Sequence, residues 1–160
     1  MTWGPAAFGG GSFVDGRGSV DVVDKPSAVE FMREALVKIS EEDIGTVIEL
    51  LAMKRNDLAP FLAEDALAAG NAEVVRPILA RMFAVRRRSD ELLIAVGAPT
   101  LAAAIRDLLY GPGRIETRFR SFDEALVGVE APVRRDLAGE CLHFLDPERH
   151  WLWSRWMWDP

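Results

Sequence analysis

The chain has 160 residues, 49% of them hydrophobic and 28% charged, with a formal net charge of −6. That is enough chain for one domain with its own core, and a single cysteine, Cys141, excludes an intrachain disulfide. The negative balance excludes the uniformly cationic footprint of a general nucleic-acid binder, and no apolar run approaches the roughly eighteen residues of a membrane-spanning helix.

Residues 1–24 read as a flexible arm. "GPAAFGGGSFVDGRGS" is rich in glycine, whose ordering is entropically costly, and its few apolar residues show no period. Trp3, Phe8 and Phe13 sit in this arm as anchors, either for a partner or for the domain's own surface. The start "MTWGPAAFGGG" lacks the basic and apolar regions of a secretory leader, so a cytoplasmic protein is expected.

From residue 25 onward the pattern is helical and repeatedly punctuated. Ser27 and Glu30 form a capping box ahead of "AVEFMREALVKI", with Phe31, Ala35, Leu36 and Ile39 on one face. Ser40 caps "EEDIGTVIELLAMK", whose opening acids suit the positive end of a helix dipole. Asn56 or Asp57 is expected to restart the helix as "LAPFLAEDALAA", which Gly70 stops. Asn71 then opens "AEVVRPILARMFAVRRR", where Pro77 either kinks the helix or marks its first turn.

Ser89 opens "DELLIAV", and "PTLAAAIRDLLY" runs to the turn at 111–113. In "RIETRFRSF" (114–122), Ile115, Thr117 and Phe119 alternate with charge like an edge strand. Ser121 with Glu124 reads as another capping box, and Pro132 starts "VRRDLAGECLHFL". Asp146 and Pro147 take the cap and first turn of a last helix, "ERHWLWSRWMW". The expected fold is an all-α, compact multi-helix domain spanning 25–160, of about eight short helices held by mutual packing.

Charge follows an acid–base–acid layout. Residues 1–75 hold six basic and thirteen acidic side chains, residues 76–120 nine and four, and residues 121–160 four and eight, giving −7, +5 and −4. Arg86, Arg87 and Arg88 form a basic cluster expected at a helix C-terminal end, where the dipole favours cations. With Arg114, Arg118 and Arg120 they are the candidate contacts for phosphate or an acidic partner.

The last eleven residues, "HWLWSRWMWDP", hold four of the five tryptophans. On a helix turning about 100° per residue, Trp151 and Trp158 are nearly eclipsed and Arg155 lies between them. Leu152, Trp153, Trp156 and Met157 fall on the broad opposite side. The broad face reads as core. The narrow stripe suits an intermolecular contact, because Trp and Arg dominate binding hot spots, and it equally suits a clamp onto the domain itself.

Chemistry is thin. Cys141, His143 and His150 lack the paired spacing of a structural zinc site, so no metal is expected. Cys141 reads as a small buried residue in "AGECLHFL". "FGGGSF" and "GPGR" lack the strand–loop–helix context and the lysine of a phosphate loop, and no cofactor is expected.

The stretch "LVGVEAPVRRDLAGECLHFLDPERHWLW" (126–153) resembles the C-terminal part of helix-hairpin-helix, DNA-glycosylase-like domains. In those domains a G-h-G hairpin precedes a helix ending near "LHFL", followed by a proline-started segment with an apolar Trp. Gly128 matches the first hairpin glycine, and Glu130 replaces the second. A carboxylate there would oppose a phosphate, and no residue matches the family's catalytic lysine or aspartate. The resemblance implies a helical fold and leaves activity open.

The leading expectation is a non-catalytic helical adaptor or assembly subunit. It would bind a protein partner, or itself, through Trp3, Phe8, Phe13, Trp151, Arg155 and Trp158. A nucleic-acid-associated domain using the arginines of 76–120 comes second, and an enzyme with an unrecognised site third.

Overall fold

The computed structural model describes residues 41–152, and side chains from Asp43. The chain divides at Ile44/Gly45 into two units, and all but the first four described residues belong to the second. Expectations for the arm, the 28–39 helix, Arg155 and Trp158 lie outside the described residues. Among those described, the fold is all-α and compact: seven helices and no strand.

Helix α1 (Glu41–Leu62) runs unbroken through Asn56 and Asp57, where a restart was expected. Leu51, Leu58 and Leu62 keep one face against the core across that point, so burial outweighs the local capping preference of Asn and Asp. The break falls instead at Ala63, just past Pro60, whose missing N–H weakens the helix end. Helix α2 (Glu64–Ala68) is one short piece ended at Gly70, which takes the left-handed φ of +63°.

Asn71 caps α3 (Ala72–Arg81), its side chain accepting from the Val74 N–H at 3.1 Å. Pro77 lies inside this helix, five residues after its start, and does not mark the first turn. Val75, Ile78 and Leu79 are its buried face. The helix ends at Arg81, well short of the expected Arg88, because Met82 turns extended. Residues 82–88 then form successive turns, with the Arg86 N–H on the Met82 carbonyl and the Arg88 N–H on that of Val85.

Helices α4 (Ser89–Val96) and α5 (Ala98–Tyr110) meet at a bend of 97° on Gly97, whose φ of +87° only glycine adopts without strain. No single described helix is long and apolar enough to cross a membrane. Helix α5 is the hub. Leu101, Ala102, Ala104, Ile105, Leu108 and Leu109 are buried along it, and α2, α3, α4, α6 and α7 all pack on it.

Helix α6 (Ile115–Ala125) overturns the edge-strand reading. Ile115, Phe119 and Phe122 recur at helical spacing and face the core, so the alternation of Ile115, Thr117 and Phe119 is incidental. Ser121 therefore sits inside a helix rather than capping one. Helix α7 (Ala131–Leu145) starts with Pro132 in its first turn, as read, and buries Val133, Leu137, Cys141 and Phe144.

Beyond it, residues 148–152, the described part of the expected last helix, are not helical. Residues 147–150 make a turn in which the Arg149 and His150 N–H groups both donate to the Asp146 carbonyl, and Trp151 and Leu152 are irregular. The His143 ring bonds the His150 carbonyl at 2.8 Å, which ties this turn back onto α7. The stripe expected with Arg155 and Trp158 lies outside the described residues.

Candidate functional site: a cleft held by two polar anchors on α7

Asp136 and Glu140 are charged residues on the buried face of α7. Val133, Leu137, Glu140, Cys141 and Phe144 recur at three- and four-residue steps, so Glu140 occupies a core position in an otherwise apolar stripe. It is 1% exposed. A carboxylate so withdrawn from water must be bonded. Its two oxygens accept the backbone N–H groups of Phe83 at 2.6 Å and Ala84 at 2.7 Å. Those amides open the 82–88 turn, which has no helix of its own to satisfy them.

Lys54 reaches the same place from α1. Its Nζ stands 3.7 Å from a Glu140 oxygen, 3.4 Å from the Phe83 ring centroid and 4.4 Å from that of Phe144. The ammonium is buried without a conventional hydrogen bond, held by one carboxylate and two aromatic faces. Burial, outweighing the attraction of Glu140, brings the lysine down to about pKa 8. Burial also raises Glu140, against the opposing pull of the two amides and Lys54. The neighbouring Arg55 donates to the Leu145 carbonyl at 3.3 Å, a cation on the C-terminal end of α7.

The second anchor is Arg134. Its guanidinium forms a two-point pair with Asp123 of α6, at 2.8 and 2.9 Å, and donates to the carbonyls of Val127 and Val129. That single side chain holds the α6–α7 connection. Asp123 is correspondingly held below the usual carboxylate range by the Arg134 hydrogen bonds.

Between the two held loops lies a cleft of about 280 Å³. Val85, Leu92, Val129 and Val133 supply its apolar wall. Arg88 crosses the rim to Glu130 at 3.2 Å and to Glu91 at 3.5 Å, joining residues 42 apart in sequence. Ile94 and Val127, next in sequence to lining residues, are 86% and 76% exposed.

The arginines of the sequence reading fall on different elements. Arg86, Arg87 and Arg88 lie in the turn before α4, so they precede a helix N-terminus; the expected C-terminal charge cap does not exist. Arg88 is bridged to Glu130 and Glu91, Arg114 to Glu116 at 3.3 Å, and Arg118 donates to the Leu109 carbonyl at 2.8 Å. Arg86 lies over the Phe83 ring, while Arg87 and Arg120 are exposed. Glu130 holds the N-cap position of α7, and Gly128 has an ordinary backbone.

Trp151 is 80% exposed at the far end of α7. Cys141 is buried, and its thiol is pushed up strongly by burial. Lys54, Phe83, Arg134, Glu140 and Phe144 were not singled out from sequence. The signal was present for two of them: Lys54 and Glu140 each interrupt an apolar helical stripe. No family model, curated protein or solved structure matches this chain.

Proposed function

We propose that the protein is a non-catalytic helical adaptor or assembly subunit that binds a protein partner through exposed aromatic and apolar side chains. The observation that carries this reading is Trp151, an indole left 80% exposed six residues past the end of α7. An indole in water forgoes a large burial gain, and Trp is the residue type most enriched among binding hot spots. Ile94 and Val127 beside the cleft extend the same theme. Among the described residues, Cys141 packs in the core, His143 bonds a carbonyl, and Lys54 and Glu140 meet beside the turn that Glu140 holds.

The test is affinity capture with the full chain beside its Trp151→Ala, Trp158→Ala variant, both confirmed folded by circular dichroism. A stoichiometric protein retained by the first and lost by the second supports the reading. Identical retention by both contradicts it.

A further inference from the structure

The cleft and the tryptophan-rich segment have matching chemistry. At about 280 Å³ the cleft lies just under the usual range of small-molecule pockets, roughly 300–1,000 Å³. That leaves room for one aromatic side chain and too little for a large cofactor. Its wall is apolar, and its rim carries one cation, Arg88, against two carboxylates, Glu91 and Glu130. The excess of one negative charge favours an apolar group with a cation beside it. "WSRWMW" (153–158) has that pattern: indoles flanking Arg155.

We propose that the cleft of one copy receives a tryptophan of residues 153–158 from a second copy, with Arg155 meeting Glu91 and Glu130. This rests on the adaptor reading and makes its partner another copy of the same chain. Socket and plug are different surfaces, so the contact is head-to-tail and extends into rings or chains. Anchoring by Glu140 and Arg134 keeps the socket walls in place before the plug arrives, which lowers the ordering cost of docking. Arg88 already shares its charge with both rim carboxylates, so Arg155 adds a second cation to an acidic pair.

Sedimentation velocity of the full chain over about 1–200 µM tests this. Gly128→Phe places a ring at the cleft mouth, where an added Cβ meets nothing within 4 Å, so the socket is blocked without backbone strain. Arg155→Glu reverses the plug's charge. The expected result is concentration-dependent association of the unaltered chain, weakened at least tenfold in each variant. Glu130→Arg, on an exposed rim position, should also weaken association, and mixing it with Arg155→Glu should restore association, with the two variants in equal proportion.

A chain that stays monomeric across the range overturns the proposal. So does association that Gly128→Phe leaves unchanged. Either failure leaves the adaptor reading to its own capture experiment, where a different protein can still be retained through Trp151 and Trp158.

Discussion

The Lys54 ammonium stands 3.7 Å from a Glu140 oxygen while its side chain is only 15% exposed and that of Glu140 1%. Buried ion pairs of this kind generally add little net stability, since desolvation offsets their attraction. Here the carboxylate also takes the Phe83 and Ala84 amides, which have no other partner in the turn. Its main service is to the backbone.

That separates this pair from an ordinary one. Glu140→Gln should cost about 3 kcal/mol, because one amide N–H then faces a donor and Lys54 loses its counter-ion. The double change Lys54→Met, Glu140→Met removes both charges, and for a simple pair it would be near neutral. It should still cost about 2 kcal/mol, as two buried N–H groups are left unsatisfied. Urea unfolding of both variants decides it; full recovery in the double variant would show that the turn does not depend on Glu140.

The pH dependence follows from Lys54. Its folded pKa of about 8 lies below the ordinary 10.5, so between those values the unfolded chain holds a proton the folded one has released. Stability from this group therefore rises with pH across that window. The wild type should gain on the order of 1–3 kcal/mol relative to Lys54→Met between pH 8 and 10.5. Glu140, Asp136 and Arg86 act on the same lysine or its partner carboxylate, so only the difference between the two proteins is diagnostic. A constant difference across the window would contradict it.

Much of the fold was legible, because helix signals are local. The Asn71 cap, the stop at Gly70 and the proline start of α7 all stand where spacing put them. The failures share one cause. At Asn56, at 114–122 and at 147–152, tertiary packing or a backbone hydrogen bond overrode a local pattern. Of the site, the charges at Lys54 and Glu140 were visible as interruptions of apolar stripes, but their convergence joins residues 86 apart in sequence. Spacing along one helix cannot show that.

Arg134 offers an independent check of the second wall. Arg134→Ala removes two bonds to Asp123 and those to Val127 and Val129, and should lower the urea midpoint. Arg134→Lys should recover only part, since an ammonium cannot reproduce the planar fork. Equal stability of the lysine variant and the wild type would show that charge alone holds the loop.

Gly97 tests the corner between α4 and α5. At φ +87° and ψ 143° a side chain is strained whatever space surrounds it. Gly97→Ala should lose about 1–3 kcal/mol, read as a lowered urea midpoint with unchanged slope. An unaltered midpoint would mean that the corner relaxes freely.

Glu140 fixes the 82–88 wall of the cleft, and amide hydrogen exchange reads that directly. The Phe83 and Ala84 amides lie outside any helix, so Glu140 is their source of protection. Both should exchange at least a hundredfold slower than an unstructured chain, and the one left facing the amide nitrogen of Glu140→Gln should lose that protection while the Leu101–Leu109 amides of α5 keep theirs. Exchange of Phe83 and Ala84 at unstructured rates in the unaltered protein would contradict the claim.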